Sequence, residues 1–201
     1  PLMGLDSNGR PDRRPVISIC AWSPSYRAWD PVEDLSGEPW NPPGARTLAT
    51  PGDASAEALA ETLTGLLSRG ECSALLLVGR TVHAGPIRVQ MRAENRRLGE
   101  PGRLDSTGPS IARVTAPVAD ILRDLAEAGV SAIADSDAEE DAGSYILYRI
   151  LAGLPDSPES PSIGLRRIPD GESENTVRTA VKTAASAMAR RLAPLPRSNV
   201  A

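Results

Sequence analysis

Apolar and polar positions alternate along this chain with two periods, and the switches between them set out its elements. Val16-Ile17-Ser18-Ile19-Cys20-Ala21 is a short β-branched run stopped at once by Trp22-Ser23-Pro24, which predicts a first buried strand ending in a loop. From 54 to 69 the period lengthens: Leu59, Leu63, Leu66 and Leu67 fall on one helical face, with Asp53 as the expected N-cap and Gly70 closing the end. Ser73-Ala74-Leu75-Leu76-Leu77-Val78-Gly79 is a continuous apolar run of strand length, the pattern of a strand covered on both faces. Strand, helix, strand in this order predicts a parallel pair joined by a crossover.

Residues 86–95 alternate apolar with polar, as a half-exposed strand would, and lead into a Gly- and Arg-rich loop through Ser110. A second amphipathic helix is expected over 115–128, capped by Thr115, with Pro117 in its first turn and Val118, Ile121, Leu122 and Leu125 as its buried stripe. Val130-Ser131-Ala132-Ile133-Ala134 reads as a strand, the small-residue turn Asp141-Ala142-Gly143-Ser144 as the start of an apolar helix, residues 162–169 as a strand, and 173–192 as the last helix, ended by Pro194 and Pro196. This order of elements predicts an α/β three-layer sandwich, a mainly parallel sheet with helices on both faces. One domain over 15–193 is expected, with flexible tails at 1–14 and 194–201. Between 31 and 43 the density of Pro, Gly and acids predicts an irregular loop, with Trp29 and Trp40 as its only large anchors.

Composition sharpens this outline. With no Phe, three Trp and three Tyr, the core must be aliphatic. A net charge of −4 without a dense basic stripe gives no footprint for nucleic acid or an anionic membrane. No apolar run is long enough to span a bilayer, and no signal-peptide-like stretch opens the chain, so a cytoplasmic protein is expected. Cys20 and Cys72 lie in or beside predicted buried strands without metal-ligand spacing, and behave there as small hydrophobes. A single histidine, His83, excludes a histidine-rich metal site, and a site built from Cys20 and His83 is the weaker reading of both. Asp135, Asp137, Glu139, Glu140 and Asp141 crowd one loop. They read as a solvated acidic surface rather than a divalent-cation site, since no Gly-turned calcium loop is present. Gly79-Arg80-Thr81 lacks the remaining glycines and the lysine of a phosphate loop, so no cofactor is expected. Ser23 and Ser25 have no nucleophile-elbow context.

Several short motifs, spread from Val16 to Leu192, carry a family resemblance. Ala142-Gly143-Ser144-Tyr145-Ile146-Leu147-Tyr148 resembles the Ala-Gly-x-Tyr/Phe-x-Cys-Asn segment of pyroglutamyl peptidase I, also called pyrrolidone carboxyl peptidase. Gln90, Ala93 and Asn95 match the marked positions of its Glu-x-x-Ala-x-Asn motif, and Gly164-Leu165-Arg166-Arg167-Ile168-Pro169 resembles its strand Gly-Phe-Ile-His-Val-Pro. Trp22 and Pro24 stand in register with its Gly-Phe-x-Pro-Phe-Gly loop, while Ser25 replaces the second aromatic and Asp30-Pro31 the family's Asn-Pro. The resemblance implies a pyroglutamyl-peptidase-like fold, of the phosphorylase/hydrolase-like type, and a homo-oligomer.

It also implies that the Glu, Cys and His of a cysteine peptidase correspond to Gln90, Leu147 and Arg167. Such catalysis needs a thiolate, an imidazole to activate it and a group to orient the imidazole. Leucine supplies no nucleophile, arginine releases no proton near neutral pH, and glutamine carries no charge. The expectation is a catalytically inactive protein with a binding or assembly role, taking a peptide or small-molecule ligand in a pocket with Trp22, Ser25, Asn95 and Tyr148 as candidate lining. The alternative is a divergent cysteine-type pyroglutamyl peptidase, or another hydrolase acting on N-terminally blocked peptides. Arg167 would need a carboxylate partner, with Asp135, Asp137 and Asp141 as candidates.

Overall fold

The computed structural model describes residues 5, 6, 8–22, 40–155 and 160–192. Ser25, Trp29 and most of the 31–43 loop lie outside the described residues. Twelve elements follow one another: β1 (Val16–Ala21), β2 (Arg46–Thr50), α1 (Ala56–Ser68), β3 (Ala74–Arg80), β4 (Ile87–Gln90), β5 (Arg92–Glu94), β6 (Ile111–Arg113), α2 (Val118–Glu127), β7 (Ala132–Asp135), α3 (Ala142–Ala152), β8 (Ser162–Ile168) and α4 (Glu174–Ala189). Six strands form one mixed sheet in the order β2-β1-β3-β8-β4-β7. All neighbours run parallel except β4 against β8, and β5 and β6 pair separately as an antiparallel ribbon.

The apolar pattern explains the three layers. β3 and β8 are covered on both faces, so each sends alternate residues into two cores. Leu76, Val78, Val89 and Ile168 meet α2 and α4 on one side, where α4 contributes the alanines 180, 184, 185 and 187. Leu75, Leu77, Ile163 and Leu165 meet α1 and α3 on the other, together with Cys20 and Cys72. Both cores are built mainly from aliphatic side chains; among the described residues Trp22, Tyr145 and Tyr148 are buried in the second, and the partly buried Trp40 packs against the first. Both cysteines are buried and free, and burial pushes their thiols up, Cys20 to about 12 and Cys72 to about 11.

Several expectations need correction. The cap of α1 is Ser55, whose hydroxyl accepts from the Ala58 N–H at 3.2 Å, and not Asp53. The cap of α2 is Pro117, without any side-chain bond. Thr115 is recruited elsewhere: its Oγ1 donates to the Pro161 carbonyl at 2.7 Å and accepts from Ile163 N–H at 2.8 Å, tying the start of β8 to the approach to α2. The single strand expected over 86–95 breaks at Met91, because β5 leaves the sheet to pair with β6. Nor is β4 half-exposed. It lies inside the sheet between β8 and β7, and its polar positions Arg88 and Gln90 face a buried polar cluster instead of water. Within 1–14, Asp12 is only 5% exposed and is held by Arg14 at 2.7 Å and Arg46 at 3.5 Å.

Candidate functional site

The site forms where β3 and β8 end, beside the antiparallel β4, whose Gln90 reaches the cluster, and the N-terminus of α3 lies against them. Asp141 starts α3 as its N-cap, its carboxylate accepting from Ser144 N–H at 3.0 Å, so the helix begins with a negative charge at its positive end. Gly143 is required by a close approach. A Cβ there would overlap the Trp22 indole, and so would one at Gly79 at the end of β3. Trp22, 7% exposed, is wedged between the two glycines.

Arg167 stacks against that indole, its guanidinium carbon 5.6 Å from the ring centroid, and is wholly buried. Its donors are spent locally. Nε donates to Gln90 Oε1 at 2.6 Å; Nη1 to Asp141 Oδ2 at 2.6 Å and the Arg80 carbonyl at 2.9 Å; Nη2 to Asp141 Oδ1 at 2.7 Å and Ser144 Oγ at 3.1 Å. The Asp141 contact is the bidentate fork that suits a planar guanidinium. Glu139 adds a second carboxylate 3.2 Å from Nε. Gln90 completes the cluster by donating from Nε2 to Ser144 Oγ at 3.1 Å and to the Arg92 carbonyl at 2.8 Å.

Two of the three positions matched to the family's triad, Gln90 and Arg167, are therefore in direct contact. Leu147 is fully buried in the apolar layer beneath α3. Ser144, one turn earlier on the same helix, meets both polar members. Its neighbours are a guanidinium and a carboxamide, and neither takes up a proton near neutral pH. Of the pocket candidates, Trp22 fills space and does not line an open one. Asn95 is a loop clip, its Oδ1 accepting from the N–H groups of Leu104 and Asp105 and its Nδ2 donating to the Asp105 carbonyl at 2.7 Å. Tyr148 is buried with its hydroxyl donating to the Pro109 carbonyl at 2.7 Å.

The acidic loop is solvated at Asp137 and Glu140, as expected, while Asp135 and Glu139 are drawn inward. Asp135 pairs with Arg88 at 2.8 Å, Asp137 with His83 at 3.5 Å, Glu140 with Arg96, and Glu139 and Asp141 with Arg167. Asp141 is thus the carboxylate partner of Arg167 among the three candidates. Among the described residues no group of three or more His, Cys, Asp and Glu could hold a metal ion. His83 turns to Asp137, and Cys20 is buried with its thiol pushed up to about 12, so neither is poised for the other. Beside the cluster lies a cavity of about 430 Å³ whose wall includes Arg96, Arg97, Glu139, Asp141, Ser144 and Tyr145. Sequence reasoning missed Glu139 and Ser144; the signal for Ser144 was its place in the first turn of a helix whose N-terminus was already marked out.

No protein-family model and no curated protein matches the chain. Solved structures do. The chain is similar to pyrrolidone carboxyl peptidase from Thermus thermophilus at 21% identity and a TM-score of 0.66, covering 85% of this chain and 98% of that one. It is similar to pyroglutamyl peptidase I from Bacillus amyloliquefaciens at 16% identity and a TM-score of 0.70, over 88% and 95%. A mutant pyrrolidone carboxyl peptidase from Pyrococcus furiosus aligns at 16% identity with a TM-score of 0.67, over 88% and 99%. At these identities the likeness establishes the fold, the mixed α/β sandwich of pyroglutamyl peptidase I.

Proposed function

We propose that this chain is a pyroglutamyl-peptidase-like protein that does not hydrolyse, and that it acts by binding a peptide or small molecule or by assembly. The observation that carries this reading is the state of Arg167. At the position matched to the family's histidine stands a permanent cation whose donors are taken up by Gln90, Asp141, Ser144 and the Arg80 carbonyl. A group so held cannot shuttle a proton between nucleophile and leaving group. Trp22 occupies the volume beside it, and Leu147 gives no nucleophile. The cavity beside α3 supports the binding half of the proposal, since about 430 Å³ lies within the range of small-ligand sites.

A cytoplasmic homo-oligomer is proposed with it, on the resemblance alone for the assembly. Among the described residues no helix is long and apolar enough to cross a membrane.

The test is hydrolysis of a pyroglutamyl fluorogenic amide by the purified protein, with and without iodoacetamide. No turnover is expected in either arm. Turnover that disappears in Cys20→Ala would overturn the reading and make Cys20 the nucleophile of a divergent peptidase.

A further inference from the structure

Arg166 and Arg167 are adjacent on β8, so their side chains leave opposite faces of the sheet. Arg167 is saturated. Arg166 enters the apolar layer under α2 and α4, lying opposite Val78 of β3 and Val89 of β4, and is wholly buried. Its one hydrogen bond runs from Nη1 to the Leu165 carbonyl at 3.2 Å, while Nε and Nη2 have no acceptor. Among the described residues no carboxylate pairs with it. Burial alone pulls its pKa down to about 9, which leaves the guanidinium charged at neutral pH.

The vacant pair is informative. Nε and Nη2 form one edge of the guanidinium, the edge on which Arg14 takes the Asp12 carboxylate, at 3.2 and 2.7 Å to Oδ2. Two parallel N–H groups on this edge match the two oxygens of a carboxylate or a phosphate. The guanidinium folds back over Gly164: a Cβ built there would lie 3.7 and 3.9 Å from its Nη1 and Nη2, and 3.0 Å from Ala116 Cβ. Beyond Gly164 on the same face stands Ser162, whose buried hydroxyl has no partner either. Ala116 leads into α2, a ten-residue helix whose N-terminus has no side-chain cap. A buried cation, an orphan hydroxyl and a helix end without a side-chain cap thus gather in one region, and the acid in the first turn of α2, Asp120, is already paired with Arg123 and Arg191.

We propose that this region is a buried anion site, which takes a small bidentate oxyanion, a carboxylate or a phosphate, on the Nε and Nη2 edge of Arg166, between β8 and the start of α2. The site is separate from the Arg167 cluster and independent of whether that cluster is catalytic.

The probes are sodium acetate and sodium phosphate, each substituted for sodium chloride at constant ionic strength. Thermal unfolding is followed for the parent and for Arg166→Ile. The parent midpoint is expected to rise with one or both anions, as a ligand that binds only the folded state requires. Arg166→Ile should melt no lower than the parent in chloride and show none of that increment. The anion that gives the rise separates a carboxylate site from a phosphate site. Equal increments in the two proteins, or none in either, would overturn the proposal. A second readout needs no variant: in ¹H–¹⁵N spectra of arginine Nε–H groups, the Arg166 resonance should shift on titration while Arg167, already bonded to Gln90, stays in place. A stationary Arg166 resonance would equally overturn it.

Discussion

Replacing Arg167 by methionine separates the buried cluster from everything else that holds the fold. Methionine fills much of the same volume and keeps the contact with Trp22, but removes all five donated bonds. The largest loss falls on Gln90 Oε1 and the Arg80 carbonyl, because a buried acceptor stripped of its donor costs about 1–3 kcal/mol. Glu139 is 9% exposed and loses its countercharge while keeping the Val82 N–H bond at 3.0 Å. Asp141 loses less, since its side chain is 38% exposed and still caps α3, so water replaces part of the fork. Against these losses stands the desolvation of a guanidinium that methionine does not have to bear.

The balance is a destabilisation of about 3 kcal/mol, at the low end of what breaking a buried ion pair costs. Urea denaturation should show it as a midpoint lowered by roughly 1.5 M at unchanged slope, taking a slope of about 2 kcal/mol/M. Pairing Arg167→Met with Asp141→Asn in a double-mutant cycle should give a coupling of about 0.5–3 kcal/mol. A midpoint equal to the parent's would refute the reasoning, for it would mean that these bonds contribute nothing net.

Three further outcomes follow from the same structure. Leu147→Ala should lower stability by about 2–5 kcal/mol in urea denaturation, because the side chain is fully buried in the layer beneath α3; an unchanged midpoint would show that it is not packed there. Iodoacetamide should label neither Cys20 nor Cys72 in the folded protein and both in urea, as read by mass spectrometry, since burial holds both thiols protonated; labelling at the native rate of a free thiol would contradict this. The Arg14 hydrogen bond holds the Asp12 carboxyl down at about 2 against 3.8 unperturbed, so its contribution is present above about pH 3.8 and is lost as pH falls through 2. The stability difference between the parent and Asp12→Asn should therefore close between those values, and a difference independent of pH would reject the pairing.

Elements whose burial is dictated by their own side chains were legible in the sequence. β1, β3, α3 and α4 announce themselves by unbroken or 3.6-periodic apolar positions, and their observed spans differ from expectation by a few residues at the ends. β2 was not seen, because Arg46-Thr47-Leu48-Ala49-Thr50 has one large apolar residue and becomes a strand only through its pairing with β1. β6 is three residues long and owes its existence to β5. Misreadings of caps had the same origin. Asp53 and Ser55 are both competent caps two residues apart, and Thr115 looks like one until a segment nearly fifty residues away claims its hydroxyl.

At the site, the period-2 alternation suggests a solvent face at Arg88 and Gln90, but it marks a face that meets other polar groups. Periodicity says that the two faces of a strand differ; it does not say that the polar one is wet. A carboxylate partner for Arg167 could be anticipated only as one of Asp135, Asp137 and Asp141, from the family's placement of the matching strand end beside the turn; that it is Asp141 follows from the cap position of that residue on α3. The Glu139 and Ser144 contacts depend on side-chain directions within one turn, which no spacing rule supplies.

The residues around Trp22 depend on one another, which bears on whether single substitutions toward the family's triad could supply its chemistry. The indole fits only because positions 79 and 143 lack a Cβ, and with it in place Arg167 finds a ring to stack on. Arg167 in turn needs the neutral carbonyl of Gln90 at its Nε and the Asp141 fork at its far edge. Restoring a glutamate at 90 would add a third carboxylate to a cation already facing Glu139 and Asp141, in a buried place where excess charge is expensive. Restoring a histidine at 167 would remove the guanidinium that Gln90, Ser144 and Asp141 now share. Restoring a cysteine at 147 would leave its thiol with no imidazole to activate it and no proton donor for a leaving amine. Each single change breaks contacts before the others can replace them. On the proposed reading the barrier to peptidase activity in this chain lies in this packing and charge balance, not in any one residue.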